Sequence, residues 1–330
     1  MTIRKRVIAL MMALTITFAT AFSACAGNVK INTHGDDKIS IVTTIFPIYD
    51  WVRELTVNSE DEIEITLLMD SGVDLHNYQP TADDMVKISD CDMFIYVGGE
   101  SDDWVDDALA NVRNQDMTVI NLLEVLGDKV KEEETVEGME AEEEENSDEE
   151  GPEYDEHVWL SLKNAQTLCF EIAYKLSEIR KSDNDPYIKA CFDYADTLVA
   201  LDEQYQAAAD SAATKTLLFG DRFPYRYMTD DYGLSYYAAF SGCSAETEAS
   251  FETISFLAQK TDELGLKYVM AIEGTDHRIA ETIIENTQSK TQQVLTLDSM
   301  QSITAEDVEN GVTYLAIMQS NLDVLKTALS

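Results

Sequence analysis

Basic residues are few in this chain: 23 Lys and Arg stand against 63 Asp and Glu, for a formal charge of −40. The Lys and Arg clusters that a phosphate backbone demands are missing, which sets nucleic acid aside as a partner. Histidine is scarcer still, with four residues, so each can be weighed individually. The five cysteines include no C-x-x-C pair, and a thiolate zinc site therefore gains no support from spacing. An H-E-x-x-H helix is absent, as is a Ser or Cys nucleophile placed beside a base, so the marks of a secreted hydrolase are lacking.

What is present begins with a leader. Arg4-Lys5-Arg6 precedes an apolar run from Val7 to Ala24, and small residues stand before Cys25. That order reads as an export signal over 1–24 rather than as a membrane-spanning helix. Phe22-Ser23-Ala24-Cys25 resembles a bacterial lipobox, which implies cleavage before Cys25, acylation of its thiol and a lipid-anchored protein outside the cytoplasm. Loss of the three basic residues takes the charge from −40 to −43. Residues 25–38 are polar and suit a tether. Cys91, Cys169, Cys191 and Cys243 remain, and for an exported chain disulfides and buried free thiols are both open.

At 330 residues, with 45% apolar side chains, the chain has material for two cores. Strand-like runs alternate with helical ones: Ile39 to Thr44, Ile63 to Leu68, Met93 to Val97 and Met117 to Ile120 in the first half. The second half repeats the rhythm with Thr216 to Phe219, Tyr236 to Phe240, Tyr268 to Ile272 and Gln293 to Leu297, and closes on one helix from Ala305 to Leu329. Alternation of this kind predicts a parallel α/β sheet in each half. The expected plan is an N-terminal α/β lobe over 39–162, a connecting helix over 163–213 interrupted near Pro186, and a C-terminal α/β lobe over 214–330. Glu132 to Glu156 holds 15 acidic residues among 25 and no basic one. Such a block repels itself and predicts a disordered surface loop over 131–153, either simply solvated or a weak collector of cations.

Two histidines stand out. His76 lies in Asp74-Leu75-His76-Asn77-Tyr78-Gln79-Pro80, just beyond the carboxyl end of a predicted strand, where open α/β sheets bind ligands. His157 lies in Tyr154-Asp155-Glu156-His157-Val158-Trp159, where the acidic block re-enters the fold. His34 falls in the tether, and His277 at a helix start.

Together with the His76 segment, the string from Asp155 to Leu162 resembles the metal-binding lipoproteins of ABC importers for zinc and manganese. These are the cluster A-I solute-binding proteins, zinc-type adhesin lipoproteins among them. The resemblance spans nearly the whole chain after the leader. It includes Tyr232-Gly233-Leu234, Ser244-Ala245-Glu246-Thr247-Glu248 and Gly311-Val312-Thr313-Tyr314-Leu315. It implies two α/β lobes joined by a long helix, with a metal ion held between them for delivery to an ABC permease and no catalysis. Carried over, His76 and His157 are metal ligands and Asp298, at the end of the last strand, is the closing carboxylate. The family's third histidine is missing: Gly220 stands in its place within Phe219-Gly220-Asp221-Arg222-Phe223-Pro224. Glu273 and Asp221 are the carboxylates within reach, and a water is the other option. The family's His-rich loop is here Glu-rich. Zinc is the expected cargo and manganese the alternative, since oxygen donors in place of imidazole move preference that way. The rival readings are a secreted metallohydrolase using the same ligands and a manganese-specific binding protein or adhesin.

Overall fold

A computed structural model describes residues 38–330 except 111, 141–152, 182–184 and 245–247. The leader, Cys25, His34, most of the tether, the middle of the acidic block and the centre of the Ser244 to Glu248 turn lie outside the described residues.

Eight strands form two four-stranded sheets. The first holds β1 (Ile39–Thr43), β2 (Ile63–Leu67), β3 (Met93–Tyr96) and β4 (Thr118–Asn121) in the order β2-β1-β3-β4. The second holds β5 (Thr216–Arg222), β6 (Ser235–Phe240), β7 (Tyr268–Ile272) and β8 (Gln293–Leu297) in the order β6-β5-β7-β8. Every pairing is parallel. Parallel strands buried on both faces require continuous apolar runs, and Met93-Phe94-Ile95 and Leu217-Leu218-Phe219 supply them, all fully or almost fully buried. Each sheet reverses direction once, between β1 and β3 and between β5 and β7. At those reversals crevices open at the carboxyl ends of the strands.

The connector is two helices, Leu162–Ile179 and Pro186–Asp210, packed on each other and capped by Ser161 and Asp185. Pro186 opens the second helix, where its missing N–H costs nothing. The C-terminal segment departs from expectation. Instead of one helix it forms Ala305–Glu309 and Tyr314–Ala328, because Gly311 at φ +83° leaves the helical path and Thr313 caps a new start. The new start places the Tyr314 N–H on the buried Asp50 carboxylate at 2.7 Å.

One apolar core runs through both lobes and the connector. Trp159 fastens them: its Nε1 donates to the Ser299 carbonyl at 2.9 Å, and its own carbonyl accepts from Tyr314 Oη at 2.7 Å. Arg222 of the C-terminal lobe donates to Asp74 of the N-terminal lobe at 2.6 Å.

The ends of the acidic block are ordered, which corrects the expectation of a loop free over 131–153. Glu132 bridges Tyr154. Glu134 pairs with Arg226 at 2.9 Å, Met139 packs on the core, and Glu140 accepts from the Ser250 N–H at 3.0 Å. Composition predicted self-repulsion, but the C-terminal lobe supplies backbone N–H groups and an arginine that these carboxylates engage.

Candidate metal centre

Both histidines are set by the same local device. In Asp74-Leu75-His76 the aspartate accepts the His76 backbone N–H at 3.0 Å, starting the 3-10 turn Leu75–Asn77. In Asp155-Glu156-His157 the aspartate accepts the His157 backbone N–H at 2.9 Å. Such side-chain turns fix a tight bend one residue before each imidazole. The bends sit at the end of the segment after β2 and at the return of the acidic block, and they aim the two rings at each other.

The outer nitrogens are then occupied. His157 Nδ1 lies 3.0 Å from Asp155 Oδ1, a carboxylate that only accepts, so this nitrogen carries the proton. His76 Nδ1 lies 2.7 Å from Ser101 Oγ and 3.5 Å from Glu156 Oε2. The inner nitrogens, Nε2 of each, face each other at 3.2 Å. Carboxylates behind imidazoles, fixing tautomer and direction, are the support that metal-binding histidines ordinarily have. Two nitrogens about 2.0–2.1 Å from a tetrahedral zinc stand roughly 3.3 Å apart, so the observed separation suits one ion between them.

Charge reinforces the asymmetry of the pair. Burial, the His157 charge and the Arg222 guanidinium push His76 down to about 3, against the opposing pull of Asp74. Burial would also lower fully enclosed His157, but the hydrogen bond and charge of Asp155, with Glu156 and Asp74, outweigh it and raise it. A metal ion held by the two Nε2 atoms competes with any further protonation of the pair, so binding is pH-dependent. Glu156 is pushed up to about 7 by burial, against the Ser101 hydrogen bonds that favour its charge. Its Oε1 accepts from the Ser101 N–H at 2.9 Å, while buried Oε2 has no hydrogen-bond partner.

The C-terminal lobe brings Cys243 to this point. Nδ1 or Nε2 of both histidines and the Cys243 sulfur lie within 4.8 Å of one another, a combination of three potential donors among the described residues. Cys243 is reached by the turn after β6. Gly242 lies so close to the His157 ring that a β-carbon there would stand 3.1 Å from both Cε1 and Nδ1. The Cys243 N–H donates to Glu133 Oε1 at 2.9 Å. Burial, with Glu133, Asp155 and Glu156 close by, pushes its thiol well above the usual range. His76 and Cys243 share a cavity of about 260 Å³ whose lining includes the carboxylates of Glu100, Glu133, Glu153 and Glu156. Spacing had given Cys243 no role; its position just past the carboxyl end of a strand was the available signal.

The expected carboxylates lie outside this group of three: Glu273 and Asp298 stand just beyond the ends of β7 and β8, and Asp221 is the penultimate residue of β5. Glu273 receives the Ser299 N–H and Oγ, both at 2.7 Å, and the Gln301 N–H at 3.1 Å, and so braces the loop after β8. Asp221 receives the Arg222 N–H at 2.9 Å, Thr275 Oγ1 at 2.9 Å and the Ile272 N–H at 3.2 Å, tying β5 to β7. Asp298 accepts from the Met300 N–H at 2.8 Å and is pushed up to about 7 by burial and by Glu273. Gly220 does not face the cleft: a β-carbon there would lie 2.5 Å from the Ala280 Cα. Arg222, at the end of β5 past a register shift, reaches the cleft instead. His277 stands apart at 3.4 Å from Thr296 Oγ1. The four cysteines among the described residues are free thiols.

Comparison with known proteins shows what the chain is similar to. A family model described as zinc-uptake complex component A, periplasmic, matches residues 41–328. The chain is 26% identical over 330 residues to a zinc-binding protein AdcA of Streptococcus pyogenes, covering 98% of this chain and 61% of that protein. It thus spans about three fifths of the streptococcal relatives it matches. It is 27% identical to the high-affinity zinc uptake system protein ZnuA of Bacillus subtilis, with 93% of each chain covered. The crystal structure of the Zn(II)-bound ZnuA-like domain of Streptococcus pneumoniae AdcA superposes with a TM-score of 0.68 at 26% identity, covering 88% of this chain and 99% of that one. A mutant structure of the laminin-binding adhesin of Streptococcus agalactiae shares the fold, with a TM-score of 0.73 at 22% identity over 88% of this chain and all of that one.

Proposed function

Because the chain belongs to the family of periplasmic zinc-uptake complex component A, we propose that it captures a divalent metal ion outside the cytoplasm, zinc before manganese, and passes it to an ABC permease. His76 and His157 hold the ion through Nε2, and Asp298 is the carboxylate assigned to closing the site from the C-terminal lobe. Cys25 is the acylated residue that ties the protein to the membrane. No catalytic role is assigned.

The observation that carries this reading is the pair of imidazole Nε2 atoms facing each other at 3.2 Å with carboxylates behind both rings. A structural histidine pair has no need of two supporting carboxylates at its outer nitrogens, whereas a metal site uses them to aim and strengthen its ligands. The zinc-bound relative of the same fold supports the choice of ion. Competition titration of the purified protein with a zinc chelator tests it. Tight binding of one zinc per chain is expected, lost in His76→Ala and weakened at least about tenfold in Asp298→Asn. Tight binding that survives His76→Ala overturns the assignment.

A further inference from the structure

We propose that Cys243 is the third protein ligand, a thiolate standing in for the imidazole missing at position 220, and that it makes the site selective for zinc over manganese. The proposal rests on the reading of the His76–His157 pair as a metal site and deepens it.

Four observations converge. The Cys243 sulfur and ring nitrogens of both histidines lie within 4.8 Å of one another, the reach of a single ion with Zn–S near 2.3 Å and Zn–N near 2.0–2.1 Å. Gly242 lets the turn after β6 lie against the His157 ring, where any β-carbon would meet Cε1 and Nδ1 at 3.1 Å. The turn is held there by Glu133, which accepts the Cys243 N–H at 2.9 Å. The place of the missing histidine offers no alternative, because position 220 points into the backbone at Ala280.

On binding, the S–H bond breaks and an S–Zn bond forms, and the proton leaves to solvent through the carboxylate-lined cavity that Cys243 shares with Glu133 and Glu156. The ion itself makes this favourable, since a coordinating thiol is deprotonated outright. Thiolate is a soft donor that suits zinc, whereas manganese prefers oxygen. One sulfur among imidazoles therefore supplies the discrimination that a purely carboxylate replacement would have removed.

Cobalt(II) is the probe, because a thiolate ligand gives it a sulfur-to-metal charge-transfer absorption in the near ultraviolet that imidazole and carboxylate do not. The parent protein loaded with cobalt should show that band. It should vanish in Cys243→Ser and persist in Cys91→Ser. Zinc affinity in Cys243→Ser should fall at least about tenfold with the melting temperature of the metal-free protein unchanged, and Cys243→Asp should narrow the preference for zinc over manganese. Absence of the band in the parent, or its survival in Cys243→Ser, overturns the proposal even where zinc still binds through His76. Failure of the parent to bind zinc at all instead overturns the function proposed above.

Discussion

At the scale of single residues, position 220 decides how this site differs from what its family resemblance implied. A histidine restored there would have to start its side chain 2.5 Å from the Ala280 Cα, inside van der Waals contact with backbone that cannot rotate away. Gly220→His should therefore lower the melting temperature, by an overpacking cost of about 1–3 kcal/mol, and leave zinc affinity no tighter than the parent's. A titration showing tighter binding would mean that β5 had shifted to present the ring to the cleft. His76 and His157 are legible in the sequence as candidate ligands, and the Asp-x-His spacing repeated at 74–76 and 155–157 is a further physical signal. Cys243 was not legible. A ligand that arrives alone on a turn has no partner at fixed spacing, and only the fold brings it to the histidines. Glu273 and Asp221 had the right chemistry and strand-end positions, but neighbouring N–H groups and hydroxyls had already claimed their oxygens.

Among the elements, the acidic block and the turn after β3 carry the most testable weight. Anchoring contacts of the block lie in 131–140 and 153–157, including the Glu133 bond to the Cys243 N–H. Replacing 141–150 by a short Gly-Ser linker should leave the melting temperature and zinc affinity almost unchanged. Removing 132–150 should destabilise the metal-free protein by about 1–3 kcal/mol and weaken zinc binding, which calorimetric melting and chelator competition would separate. Composition could not give the partners that the ends of this block find. The turn after β3 depends on Asp102, whose Oδ2 accepts the Val97 N–H at 3.0 Å and the Gly98 N–H at 2.9 Å, holding Gly98 and Gly99 at φ +91° and +89° so that Ser101 meets His76. Burial, with Asp103 adding to it and the two N–H groups opposing, raises Asp102 from 3.8 to about 6. A carboxyl raised in the folded state stabilises it fully below the unfolded value and loses that contribution as pH rises through the folded one. Relative to Asp102→Asn, the parent should thus gain about 2 kcal/mol on going from about pH 7 to about pH 4.5. Urea unfolding of both metal-free proteins at the two pH values would read it, and a constant difference would refute the shift.

As a whole molecule, the chain repeats one topology twice around a shared core. The alternation of strands and helices made that architecture readable, because parallel strands need unbroken apolar runs and helices need spaced ones. The break at Gly311 is not legible in the sequence, since the apolar spacing continues on both sides of it. The fastening of the lobes could not be read either. Trp159 to Ser299, Tyr314 to Trp159 and Arg222 to Asp74 are pairings separated by well over a hundred positions. With the core continuous through both lobes, the metal-free protein should unfold in one calorimetric transition whose van't Hoff and calorimetric enthalpies agree. Two resolved transitions would show that the lobes fold independently.

The helix Arg278–Asn286, seated where the side chain of residue 220 would begin, also constrains how such a site can change over generations. What blocks position 220 is the backbone of residue 280 as well as its methyl group, so trimming Ala280 to glycine does not reopen it. An imidazole on β5 would require this helix to move as well. With Cys243 as the proposed third donor, the turn after β6 is the short stretch where an exchange of donor would change the cargo preference.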